Sequence, residues 1–141
     1  MPDATTAAST RIAQIQVGLT ILIAVSTFLP FSVTRELDPG DAYERVLQPD
    51  LYPIWQLSIF GPLVLSLVAL RFGSVGVRAF VSLAMLLPLY GVFTLAMIAG
   101  VWQTEPLFGF YLCVTCVLGA ALMSLVQAIL WFVLSTRSDP D

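Results

Sequence analysis

Charged residues divide this chain into four long uncharged runs, and those runs constrain its fold more than any other feature. Ile12–Thr34 holds 23 residues, Leu51–Leu70 holds 20, Ala79–Thr104 holds 26 and Pro106–Thr136 holds 31. A helix rising ~1.5 Å per residue needs about 20 residues to cross a hydrocarbon core of about 30 Å. Lipid cannot satisfy exposed backbone groups, so a spanning segment must be a helix or part of a closed barrel. The runs lack the alternating polar and apolar pattern of barrel strands. Composition agrees: 58% of the 141 residues are apolar and 11% are charged, against about 25% charged in an ordinary soluble domain. Disordered chains are polar and charge-rich, which excludes that class as well. The expected fold is therefore all-α, an integral membrane four-helix bundle with spans at 12–34, 51–70, 79–104 and 106–136.

Orientation rests on arginine, because the chain has neither Lys nor His. Arg11, Arg71, Arg78 and Arg137 fall on one side of this topology, and Arg35 and Arg45 on the other. The bias of four to two places both termini inside. Tyr52, Trp55 and Trp102 then stand at the outer interface and Trp131 near the inner end. Arg11, the apolar stretch Val17–Ile23 and the small triplet Ala24-Val25-Ser26 also resemble a cleavable signal peptide. Apolar sequence continues past Ser26 to Val33, which favours a retained first helix.

The whole chain, 1–141, reads as one transmembrane domain without internal repeats. Residues 1–10 and 138–141 are expected to be flexible tails. In the long outer loop, Asp38-Pro39-Gly40 marks a turn. Asp41 then stands three residues before Glu44, a capping-box-like start for a short interfacial helix. Tyr43, Val46 and Leu47 give that helix one apolar face; a surface position or a lid over the helices both fit it. Pro62 and Pro88 lie deepest in the spans and mark kinks, while Pro106 is placed to open the last helix.

The residue inventory narrows function. The expected spans contain no Asp, Glu, Lys or Arg, which argues against a stand-alone pump or proton-coupled carrier. Without His, a His-ligated haem or multi-His metal site has no ligands in this chain, and no metal site is expected. P-loop, serine-hydrolase and metalloprotease motifs are absent. The net charge of −3 gives nucleic-acid binding no electrostatic support. Gln14 and Gln16 are expected to meet headgroups, Gln56 to lie near the outer interface, and Gln127 to hydrogen-bond a neighbouring helix.

Cys113 and Cys116 form the one constellation able to carry chemistry. Three residues apart, they share a helix face on which Ala120, Ser124, Gln127 and Trp131 follow. Small residues along such a seam allow close helix approach, so both cysteines are expected to face the bundle. Cysteines in such a seam behave as small hydrophobes. A reactive thiol needs a cation, a metal or a helix N-terminus beside it, and Cys113 lies seven residues beyond Pro106. Four spans, a long outer first loop and a C-x-x-C near the outer end of the last span resemble the vitamin K epoxide reductases. Ser58-Ile59-Phe60-Gly61 is similar to a string at the start of that family's second span. The resemblance implies a membrane thiol–disulfide oxidoreductase coupled to a quinone, with Cys113 and Cys116 as its redox pair.

Ample apolar faces and few convergent polar groups lead to a different expectation: a non-catalytic accessory or assembly subunit with no cofactor. Its partners would be the lipid bilayer and another membrane protein, or a second copy joined through small-residue helix faces. A small lipophile-binding or channel-forming bundle, shaped by Pro62 and Pro88, is a third reading. The absence of Lys, Asn and His suggests a composition-biased genome, and the expected location is a prokaryotic plasma membrane with both termini cytoplasmic.

Overall fold

The structure, a computed structural model, describes residues 4–30, 32–34, 53–72, 74–101 and 104–137. Four helices account for nearly all of them: α1 (Ala4–Ser26), α2 (Pro53–Arg71), α3 (Val75–Val101) and α4 (Phe108–Arg137). Two short strands, β1 (Ser32–Thr34) and β2 (Thr104–Pro106), pair antiparallel with Val33 opposite Glu105. The chain is all-α apart from this ribbon, which the sequence did not announce. Helices α1, α3 and α4 are long and apolar enough to cross a membrane; the apolar stretch in α2, Gln56–Arg71, is shorter. This is a membrane protein. The interfacial helix expected around Asp41–Leu47, and the anchors Tyr52, Trp55 and Trp102, lie outside the residues whose side chains are described.

Each helix packs against its neighbours in the chain, and α1 packs on α4 to close the ring. Side-chain bonds join the start of α1, the end of α2, the start of α3 and the C-terminal half of α4. Successive helices therefore run up and down. One end of the bundle holds the described chain ends; the other holds the β1–β2 ribbon.

Every buried face repeats in steps of three and four, as helix geometry requires. On α1 the buried positions include Ser9, Ala13, Gln16, Thr20 and Ile23, and Thr27 just beyond its end continues the series. On α3 they include Arg78, Ser82, Met85, Leu89, Val92 and Ala96. On α4 Cys113, Cys116, Ala120, Ser124 and Gln127 are buried, as the expected seam requires, but Trp131 at its end is exposed. The apolar core gathers Ile23, Ile59, Met85, Leu89, Val92, Leu95, Phe110 and Val117.

Local chemistry sets the helix ends, and they differ from the expected spans. Helix α1 starts at Ala4, inside the stretch assigned to the N-terminal tail, and already buries Ser9. It stops when Phe28 and Leu29 donate to the carbonyls of Val25 and Ser26, ahead of Pro30. Ser74 caps α3, accepting from the Val77 N–H through its hydroxyl and from the Arg78 N–H through its carbonyl. The third helix thus begins at Val75, before Arg78 rather than after it. Pro106 does not open the last helix: it closes β2, and α4 starts at Phe108. Where α1 ends against α4, the Gly109 N–H donates to the Pro30 carbonyl at 3.1 Å. A Cβ on Gly109 would lie 2.7 Å from that carbonyl oxygen, so only glycine permits this approach.

Candidate functional site

Polar side chains converge inside the half of the bundle that holds the chain ends. Gln16 of α1 donates through Nε2 to the hydroxyls of Ser82 on α3, at 3.2 Å, and Ser124 on α4, at 3.1 Å. The Ser82 hydroxyl also lies 3.3 Å from Gln16 Oε1. The hydroxyls of Thr20 and Ser66 join α1 to α2 at 2.9 Å. Gln16 was expected at the headgroups with Gln14; only Gln14 is exposed, and Gln16 is fully buried. The step of seven from Ser9 to Gln16 brings both to one face of α1, whereas Gln14 lies on another. That heptad was the missed signal.

Arg78 corrects the expectation that no charge enters a span. It lies in the first turn of α3 with 5% of its surface exposed. Its Nε donates to the Ala69 carbonyl at 3.2 Å, and Nη1 donates to Thr10 at 2.8 Å and to Ser9 at 3.4 Å. Ala69 belongs to the last turn of α2, where carbonyls lack helical partners and the dipole is negative. One guanidinium therefore caps α2 and ties it to α1. Among the described residues the only carboxylate is Glu105, in β2 at the opposite end. Gln127 joins the cluster by donating to Ser9 through Nε2, so it does bond a neighbouring helix as expected. Its Oε1 is buried without a partner among the described residues.

Cys113 and Cys116 are free thiols, both buried on the inward face of α4 toward the ribbon end. Ser26 of α1 lies within hydrogen-bond reach of Cys113. The other neighbours in their cluster are apolar, including Ile23, Phe110 and Val117. Arg78, the buried cation, belongs to the opposite end of the bundle. The structure thus brings the two cysteines together, and among the described residues it brings no cation to them.

The outer surface carries the remaining feature. A groove of about 670 Å³ runs between α2 and α3, lined by Leu57, Ser58, Phe60, Gly61, Val64, Leu65, Leu87, Pro88, Tyr90 and Gly91. Its floor is narrow because Gly61 faces Pro88 and Gly91 faces Ser58: added Cβ atoms would come within 3.6 Å and 3.1 Å of them. Pro62 and Pro88, read from sequence as kinks, lie inside α2 and α3 at this crossing. A smaller recess of about 200 Å³ between α3 and α4 also touches Tyr90. Neither recess is lined by a cysteine.

No family model, curated protein or solved structure matches the chain. Function must therefore be argued from these residues alone.

Proposed function

We propose that this chain is a non-catalytic accessory subunit of a membrane assembly, contributing packing surface rather than chemistry. The observation that supports it is the separation of polar interior from apolar exterior. Gln16, Thr20, Ser66, Arg78, Ser82, Ser124 and Gln127 bond one another or neighbouring helices. The α2–α3 face instead offers an apolar groove that opens outward. In this reading all four helices span the bilayer, the arginine-bearing end with both termini is cytoplasmic, and the membrane is a prokaryotic plasma membrane.

The test is photo-crosslinking in native membranes, with a photoreactive residue at Leu87 in the groove and a control at Leu122 on α4. The subunit reading expects one protein partner, of one mass and in stoichiometric yield, from Leu87 alone. Lipid adducts alone from both positions overturn it.

The adjacency of two free thiols on one inward face favours a second reading, a membrane dithiol enzyme using Cys113 and Cys116. A quinone acceptor has no seat beside them in either recess, so we derive no step through it. Cycling of the pair between thiol and disulfide in living cells, trapped by alkylation, would support this reading; permanently reduced thiols would end it.

A further inference from the structure

We infer that Arg78 binds the phosphate of an anionic phospholipid at the rim of the bundle. The site stands independently of the accessory-subunit reading. A guanidinium carries five N–H donors and accepts nothing. Three of those on Arg78 are engaged: Nε on the Ala69 carbonyl, and Nη1 on the hydroxyls of Ser9 and Thr10. All three acceptors are neutral, so none of them offsets the charge. The two donors on Nη2 have no acceptor among the described residues. Among those residues Gln127 Oε1 is the one fully buried side-chain polar atom without a partner. Nη2 is therefore not sealed inside the bundle, and the 5% of Arg78 that stays exposed includes it. A cation otherwise enclosed by protein presents its one unused pair of N–H groups outward.

Depth in the membrane selects what meets that pair. Helix α3 has 27 residues, about 40 Å, against a hydrocarbon core of about 30 Å. Centred in the core, it overshoots by about 5 Å at each end, and Arg78 lies about 4.5 Å along the axis from Val75. Its guanidinium stands where hydrocarbon gives way to headgroups. The surroundings suit both parts of a lipid. Arg11, next to Thr10, and Arg71, two residues after Ala69, are exposed and add positive charge. The only described carboxylate, Glu105, is at the opposite end, so the protein supplies no counter-charge here. Phe72, Val77 and Phe80 are exposed within a few residues of Arg78 or Ala69 and offer apolar surface to acyl chains, for which a free phosphate has no use. A phosphate oxygen completes Nη2 with a charge-assisted bond. The phosphate of a zwitterionic lipid carries its own ammonium and offsets the arginines less.

The test is native mass spectrometry of the full chain in detergent, titrated with phosphatidylglycerol, with phosphatidylcholine and with soluble glycerol 3-phosphate. Salt is held at about 0.15 M, where exposed charges are largely screened. The inference expects one phosphatidylglycerol per chain, bound about tenfold more tightly than phosphatidylcholine, the scale of one hydrogen bond to a charged group. Glycerol 3-phosphate should give no adduct at the same concentration. Equal binding of the two lipids overturns the inference, and glycerol 3-phosphate binding as tightly as phosphatidylglycerol overturns it in favour of a soluble-anion site. Arg78→Lys keeps the charge but loses the planar fork that serves neighbours and ligand together, and should cut the preference to about twofold at unchanged helicity. A full preference in Arg78→Lys counts against the site. The double variant Arg11→Ala, Arg71→Ala alters exposed side chains and is decisive even where Arg78→Lys fails to fold. It should retain at least about fivefold preference for phosphatidylglycerol. Abolition there assigns the effect to diffuse surface charge and removes the role of Arg78.

Discussion

In the half of the bundle near the chain ends, Gln16, Thr20, Arg78 and Gln127 reach across to other helices. Near the ribbon, Ser26, Thr27 and Thr94 instead donate to carbonyls three or four residues back in their own segment. There, besides the one backbone bond from Gly109 to Pro30, the helices meet through shape in the cluster of Ile23, Phe110, Cys113 and Val117. The difference shows two solutions to one problem. Lipid is as apolar as leucine, so helices gain little by hiding leucine from it. Hydrogen bonds specify the partner in one half, and close packing does so in the other.

The largest effect should come from Arg78→Ala. It leaves the Thr10 hydroxyl and the Ala69 carbonyl without their cation, and hydrogen bonds to charged groups are worth about 1.5–3 kcal/mol. We expect a loss of about 3 kcal/mol in detergent unfolding, with Arg78→Lys recovering part of it; an unchanged midpoint would show that the chain-end cluster does not hold the bundle. Next is Gly109→Ala, whose methyl meets the Pro30 carbonyl. Overpacking of this kind costs about 1–3 kcal/mol, and we expect about 2 kcal/mol from the same unfolding measurement. Gln16→Leu keeps the volume and removes the bonds to Ser82 and Ser124. Interhelical bonds in membranes average about 0.6 kcal/mol each, so a loss near 1 kcal/mol is expected. If Gln16→Leu proves more damaging than Gly109→Ala, the contrast between the halves is inverted.

The smallest stability effect falls on Cys116→Ala. Removing one buried sulfur resembles removing one methyl, about 0.5–1.5 kcal/mol, and we expect the low end of that range. Its value is functional. The Cys113→Ala, Cys116→Ala double variant should still yield the Leu87 protein crosslink at parental level, and loss of it with the fold intact would give the thiols a role beyond packing.

Much of this architecture was legible in the residues, for identifiable reasons. The four helices follow from uncharged runs of membrane-spanning length, and the inward seam Cys113–Gln127 follows from steps of three and four. The seam failed at Trp131, where α4 presents that position outward. Arg78 was read as a topology signal because one sequence position cannot reveal that α1 and α2 supply acceptors for a buried guanidinium. Gln16 lies inside the bundle rather than at the headgroups because its step of seven from Ser9 sets it on the inward face of α1. The β1–β2 pair was invisible, since Ser32–Thr34 and Thr104–Pro106 are three-residue segments seventy positions apart.

By itself, the sequence determined the solvent and the number of helices, because hydropathy and helix rise act locally along the chain, although α1 lies eight residues ahead of its expected span at both ends. The tertiary structure decided which polar groups meet, that Arg78 is held inside, that Cys113 and Cys116 face apolar neighbours, and that an apolar groove opens between α2 and α3. Those outcomes depend on the rotation and crossing of helices distant in sequence. Local periodicity names a buried face, but it does not name what lies opposite.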